Sequence, residues 1–399
     1  MKNDESGVEP FAYRWVILCL AWLGYFSAGM VASALPPLVS QIAADLVLSG
    51  IQIGVILGIG TLTVVPLAIP VGLLFDRINI KWATFTGLLF IGLSAFLRTF
   101  AISFETMMLF VAIFGIGNTL IVVGIAKIIA LWFAGNERAT ASGIYVTGFA
   151  IGSGIVLMIT NSLILQLLGT WQNVFLFYGL LGFLFATLWL IFCKEITRTQ
   201  VEEPFLDALR ESTTTLVKEK YIWLIGCIAF LLSITSFAFS GWLPTFLETK
   251  GMTPAGAGVI ASIPPWIGIL GSITIPRLGK PSSRRLILFI LFLIQGLWVY
   301  LVIWAFEVPL IIVLILYGFS YAGIWPLLLV ILMDFPTIGA KYMGTATGLL
   351  STFGASGGFI GPLMVGFLVE LTGALTLGFI FLSLILVITL IPIFLLREK

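Results

Sequence analysis

The chain is a succession of long apolar stretches joined by short polar connections, and that repetition leaves few folds open to it. A bilayer core is about 30 Å thick, which a helix of roughly 20 residues crosses. In lipid every backbone N–H and C=O must be satisfied within the spanning structure, so apolar runs of this length are helices. Spans are expected at 13–36, 51–75, 82–100, 105–132, 138–166, 171–193, 221–247, 254–276, 284–305, 309–333, 341–369 and 374–396. Hydrophobic residues make up 60% of the 399 and charged residues 10%. A soluble domain carries about 25% charged residues, so lipid is the solvent for most of this surface. The first apolar stretch follows Arg14 and ends near Ala32-Ser33-Ala34, like a secretory signal. It is long enough to span, and it is read as the first helix of many.

One long polar segment interrupts the pattern, at 194–220, with six spans on each side. The expected organisation is a bundle over 1–193, a linker over 194–220 and a second bundle over 221–399. Loop charges set the orientation, because Lys and Arg are retained in the cytoplasm. With the N-terminus inside, Arg77, Lys81, Arg138, Lys194, Arg198, Arg210, Lys218, Lys220, Arg277, Lys280, Arg284, Arg285, Lys341, Arg397 and Lys399 are cytoplasmic. Only Arg98 and Lys250 fall outside, and Arg98 is expected to snorkel toward water. Both termini are therefore expected in the cytoplasm.

The two halves repeat. Residues 140–152 and 345–357 match at a constant offset of 205, with Thr140, Ala141, Gly143, Thr147, Ala150 and Gly152 identical to their counterparts. Internal repeats of this kind build many transporters. Glycines recur at helical spacing, at Gly50, Gly54 and Gly58 in span 2, and at Gly148 and Gly152 in span 5. Span 8 carries Gly256, Gly258, Gly268 and Gly271, and span 11 carries Gly344, Gly348, Gly354, Gly357, Gly358 and Gly361. Small residues let membrane helices approach closely. Spans 2 and 11, and spans 5 and 8, are expected to slide or rock across an interface between the halves.

The connection after span 2 reads Gly72-Leu73-Leu74-Phe75-Asp76-Arg77-Ile78-Asn79-Ile80-Lys81. It resembles the signature loop of the major facilitator superfamily, with Asn79 in place of a glycine. Trp132 through Gly143 resembles the loop 4–5 pattern of that superfamily, and Gly344-Thr345-Ala346-Thr347-Gly348 resembles the start of its span 11. The resemblance runs the length of the chain. It implies an all-α membrane protein of twelve transmembrane helices in two pseudo-symmetric six-helix bundles, both termini cytoplasmic, that moves a solute by alternating access. A carboxylate at Asp76 could latch the start of span 11, where a helix dipole is positive. Gly72, Asp76, Arg77, Lys81, Glu137 and Arg138 are the expected gate. Within the superfamily the chain looks most similar to the cyanate and nitrate porters, through Gly115-Ile116-Gly117-Asn118, Lys127 and Tyr145. Spans 2 and 8 have no central arginine, which argues against nitrate itself.

An ionisable group in mid-membrane marks function, and here no Asp or Glu lies mid-span. Lys127 is the one cation well inside a span. The expected substrate contacts are Tyr25, Asn118, Tyr145, Trp266, Tyr321, Trp325 and Ser356, with Lys127 for an anion. Asn118 and Lys127 are nine residues apart and face opposite ways. No histidine is present, the three cysteines have no metal-like spacing, and no phosphate-binding Gly-Lys-Ser/Thr loop occurs. These absences exclude the usual enzyme chemistries, so no cofactor is expected. A net charge of +2 gives no reason to expect nucleic acid. The expected partners are a small-molecule substrate and the bilayer, with the protein a monomer. A small anion or zwitterion is the favoured cargo. Efflux of amphipathic compounds or organic cations is the alternative, and a non-transporting receptor the remote one.

Overall fold

The computed structural model describes residues 13–67, 70–71, 79–194, 214–278, 283–333 and 339–396. Within them twelve helices are long and apolar enough to cross a membrane: α1 Tyr13–Leu46, α2 Gly50–Leu67, α3 Ile80–Arg98, α4 Phe104–Trp132, α5 Thr140–Leu168, α6 Trp171–Phe192, α7 Lys220–Thr249, α8 Pro254–Leu278, α9 Arg284–Trp304, α10 Glu307–Met333, α11 Gly344–Thr372 and α12 Leu375–Leu395. We call the end of the molecule bearing residues 13, 194, 220 and 396 the linker face, and the opposite end the far face.

Local chemistry fixes where the helices begin. Ser49 and Gln52 form a capping box on α2, each side chain bonding the other's backbone N–H. Ser103 with Thr106 does the same for α4. Thr170 caps α6, and Thr253 caps α8, where Pro254 at the first turn has no N–H to leave unsatisfied. Asn79, the departure from the signature loop, accepts from the Lys81 N–H at 2.9 Å and is the N-cap of α3. A glycine there would start the helix without that bond.

The first span runs further than its expected end at residue 36. A 3-10 turn at Pro36–Leu38 redirects the chain, which resumes as helix to Leu46. Pro36 and Pro37 fit because first-turn positions need no N–H. A π-helical turn at Thr160–Ile164 interrupts α5.

Two apolar cores account for most of the buried side chains. One draws on residues from Ile17 to Cys193 and the other on residues from Leu216 to Leu396. Packing repeats between them. In the first half α1 lies along α5, and α3 against α4 and α6. In the second α7 lies along α11, and α9 against α10 and α12. The halves meet chiefly where α2 crosses α11 and where α5 crosses α8. Large apolar side chains such as Leu167, Ile191, Trp304 and Phe394 remain uncovered by protein. On a membrane-spanning bundle these positions face lipid.

The glycines divide in a way their spacing did not announce. A Cβ on Gly152 would fall 2.4 Å from the Phe26 carbonyl oxygen of α1, and one on its repeat partner Gly357 would fall 2.2 Å from the Phe230 carbonyl oxygen of α7. Gly148 likewise meets Trp22 of α1, and Gly271 meets Phe319 of α10. These glycines hold helices together inside a half rather than smoothing the surface between halves. Glycines that cross include Gly50, Gly54 and Gly58 of α2, against Gly366, Pro362 and Phe359 of α11. Gly258 of α8 also crosses, against Leu157 of α5.

Both cations expected outside are spent on backbone. Arg98 is 1% exposed and does not snorkel. It donates to the Val31 carbonyl at 3.3 Å and to Ser94 at 3.1 Å, beneath the Phe175 ring. The Lys250 ammonium donates to the carbonyls of Val302, Ile303 and Ala305, closing the C-terminus of α9.

Candidate functional site

Among the described residues the two halves touch at one end and part at the other. At the far face Gly50 and Gly366 stand so close that a Cβ on Gly366 would lie 2.1 Å from the Gly50 carbonyl oxygen. Gly348 lies 18 residues before Gly366, about five turns of helix, and therefore on the same face of α11. Among the described residues a Cβ on Gly348 meets nothing within 4 Å, and neither does one on Gly344. The other crossing behaves alike. Gly154 of α5 lies under the Trp266 indole of α8, at 2.9 Å from a built Cβ. Gly143 is on the same face about three turns toward the linker face, and no described residue approaches it within 4 Å. Among the described residues the contacts form a wedge, shut at the far face and open at the linker face.

The expected substrate residues fall in two groups along this wedge. In the first half Tyr25 of α1 and Tyr145 of α5 meet edge to face, with ring centroids 4.8 Å apart. Asn118 is half-buried in α4, on the same helical face as Ile125, which rests on Gly24 beside Tyr25. Asn118 makes no hydrogen bond to another described residue. Lys127 is half-buried on the opposite face of α4. In the second half Tyr321 stacks parallel on Tyr317 at 5.8 Å, and Tyr317 on Phe239 at 4.1 Å. The Trp325 ring fills the space left by the absent side chain of Gly354. Ser356 is half-buried and donates to the Thr352 carbonyl at 2.9 Å, one turn back. Trp266 joins the halves, through its contact with Gly154.

The expected gate is only partly within view. Gly72, Asp76 and Arg77 lie outside the described residues. Lys81 is half-buried, and its carbonyl accepts from Trp189 at 3.1 Å. Glu137 forms a two-pronged ion pair with Arg14 of α1, at 2.7 and 3.1 Å. Arg138 donates to Phe133 and Ala130, the last carbonyls of α4. These contacts of Glu137 and Arg138 stay inside the first half.

Sequence reasoning passed over the far-face contacts. Glu248 of α7 accepts from the Ser40 hydroxyl. Glu370 of α11 accepts from the Ile51 N–H of α2 at 3.1 Å. Asn161, 4% exposed in the π-helical turn of α5, donates to Pro37 at 2.7 Å and to Pro254 of α8 at 3.3 Å. Each acid sits at a helix end, where a solvated charge is the ordinary expectation.

Comparison with known proteins agrees with this geometry. A "Probable nitrate transporter NarT" of Staphylococcus epidermidis is 27% identical, over 100% of this chain and 98% of that protein. A "Hexuronate transporter" of Bacillus subtilis is 24% identical over 89% of each. A "Probable galactarate/D-glucarate transporter GudP" of Escherichia coli is 23% identical, over 94% of this chain and 91% of that one. Among solved structures, a bacterial homolog of the human lysosomal transporter Spinster, in an inward-facing and occupied conformation, has the same fold. Its TM-score is 0.73 at 17% identity, over 98% of this chain and 97% of that one. The sequence model of the Major Facilitator Superfamily matches residues 21–362. Twelve spans in two repeated bundles, a wedge between them and a match over most of its length place this chain in the Major Facilitator Superfamily, as a multi-pass transporter of the cell membrane working by alternating access.

Proposed function

We propose that this transporter carries a small organic anion or zwitterion, with the linker face and both termini in the cytoplasm. The bundles are 1–193 and 221–399, moving as units about the linker 194–220, and the protein acts as a monomer without chemically converting its cargo. The observation that carries the reading is the wedge between the halves, open at the face rich in Lys and Arg. An anion reaching that opening meets Lys127, the cation inside α4. Tyr25, Tyr145, Tyr321, Asn118 and Ser356 supply neutral hydrogen-bonding groups, and Trp266 and Trp325 supply ring faces. The named cargoes of the similar transporters, nitrate, hexuronate and glucarate, are anions. Rings and hydroxyl groups suit a carbon skeleton bearing a carboxylate better than bare nitrate.

The cycle proceeds by exchange or facilitated diffusion. Proton coupling through the cavity would need a carboxylate that changes charge in mid-membrane, and the sequence has none there. The test is counterflow in proteoliposomes loaded with hexuronate, glucarate or nitrate. We expect uptake of a labelled carboxylate and a fall of about tenfold in its apparent affinity in Lys127→Met, the size of one lost charge-assisted hydrogen bond. Saturable uptake of an organic cation with no carboxylate uptake would overturn the anion reading.

A further inference from the structure

The far face is closed by contacts whose two carboxylates both come from the second half. Glu370 lies one turn beyond Gly366, whose backbone touches Gly50. That crossing lets Glu370 accept from the Ile51 N–H at 3.1 Å, with Ser49 beside it. First-turn N–H groups have no partner within their own helix, and the helix dipole puts about half a positive charge there. The first turn of α2 is therefore capped by a carboxylate from the opposite half. Glu248, near the end of α7, takes the Ser40 hydroxyl in the part of α1 beyond Pro36 and Pro37. Among the described residues neither carboxylate has a Lys or Arg within ion-pair distance. Their stabilisation comes from donors on the first half, and parting the halves at this face breaks both contacts.

We propose that Glu370 and Glu248 form the far-face gate of the transport cycle, holding the far face shut while the linker face is open. The inference concerns which face opens and does not depend on the cargo. Glu370 does the larger share, because it meets the positive end of a helix, whereas Glu248 meets one hydroxyl. Asn161 braces the second crossing without charge, through Pro37 and Pro254. Neutralising the carboxylates removes the charge–dipole attraction while leaving the helix packing in place. The far face then opens more often.

The experiment reads that opening as the rate at which a membrane-impermeant maleimide labels a cysteine beneath the gate in whole cells. Cys19, Cys193 and Cys227 are first replaced by alanine. Ile53→Cys is the reporter, one turn inward of the clasp and packed against the core of the second half. Ile102→Cys, 83% exposed beyond the end of α3, shows which side the reagent reaches. Ile121→Cys, fully buried inside the first half, reports loss of structure. We expect Glu370→Gln to speed labelling at Ile53→Cys by about tenfold, the effect of losing one charge-assisted hydrogen bond. Glu248→Gln/Glu370→Gln should speed it further, by less than about another tenfold for independent sites, with Ile121→Cys unlabelled throughout. An unchanged rate in the double variant overturns the proposal. So does a rise at Ile121→Cys in step with Ile53→Cys, which would make the carboxylates packing residues. If Ile102→Cys does not label in cells, the orientation is reversed, and the same comparison in inverted vesicles decides the gate separately.

Discussion

Replacing Gly348 by leucine should leave this conformation intact and stop the cycle. Gly348 has open space among the described residues where its side chain would grow, with none of their atoms within 4 Å of a built Cβ. Leucine is also a better helix former than glycine by somewhat under 1 kcal/mol. The folded wedge is therefore expected to be unharmed or slightly more stable. The opposite conformation is different. To close the linker face, α11 must meet α2 along the stripe it already uses at the far face. There, built Cβ atoms on Gly50, Gly54 and Gly58 fall 2.5 to 2.8 Å from backbone oxygens of α11. Backbone cannot yield as a flexible side chain can. Overpacking of this kind costs about 1–3 kcal/mol or more, which cuts the linker-closed population by roughly 5- to 150-fold. The assay pairs a melting curve of purified protein with initial uptake rates in proteoliposomes. An unchanged melting temperature with a maximal rate reduced tenfold or more is the expected result. Uptake at the normal rate in a well-folded Gly348→Leu protein would refute the rocking geometry. A large loss of stability would show that the open space does not exist.

Gly152→Val and Gly357→Val should destabilise the protein by similar amounts, about 1–3 kcal/mol each, because each presses on a carbonyl of the helix beside it within its own half. Thermal melts of the two variants check this, and unequal shifts would deny that the repeated glycines do the same job. Cys193, just past the end of α6, should resist alkylation at pH 8. Burial pushes its thiol up to about 12 despite the Lys81 ammonium nearby, so the reactive thiolate appears only as pH rises toward that value. Iodoacetamide labelling followed by mass spectrometry reads it directly. An imposed pH gradient at zero membrane potential should not drive accumulation above equilibrium, and accumulation under that gradient alone would sink the uncoupled mechanism.

The fold was legible because its signal is solvent chemistry. Lipid demands long apolar helices, water demands polar connections, and both demands are written in single residues. The repeat at offset 205 was equally visible, and Gly152 and Gly357 do occupy equivalent crossings. What glycine spacing could not say was which neighbour each smooth face meets. Gly148 and Gly152 turned out to serve α1, while Gly154, two residues on, serves α8. Arg98 looked like a residue that would reach for water because it ends a span. It turned inward, because carbonyls of α1 and a phenyl face lay beside it. The aromatic residues were readable as candidates, but their pairing was not. Tyr25 with Tyr145 joins positions on different helices, and Glu370 finds Ile51 at a separation of 319 residues. No local pattern encodes such a contact.

A repeated scaffold makes the two ends of the molecule alike in packing, and that has an energetic consequence. If the crossing of α2 with α11 at the far face can be rebuilt at the linker face, the two conformations differ little in buried area. Their balance is then set by the side chains that do not repeat. Glu370 is one of these, since the repeat puts Leu165 at the equivalent place in α5. The ion pair of Arg14 with Glu137 lies near the opposite face. A gap of a few kcal/mol suffices to fix which state dominates, and a differential binding of about 5.5 kcal/mol would carry the population from one extreme to the other. Symmetric glycines therefore permit the motion, while a handful of unsymmetric charges near the helix ends determine where it rests. On this view the helix-end acids are the residues that tune the cycle, and the neutral interior is left to recognise the solute.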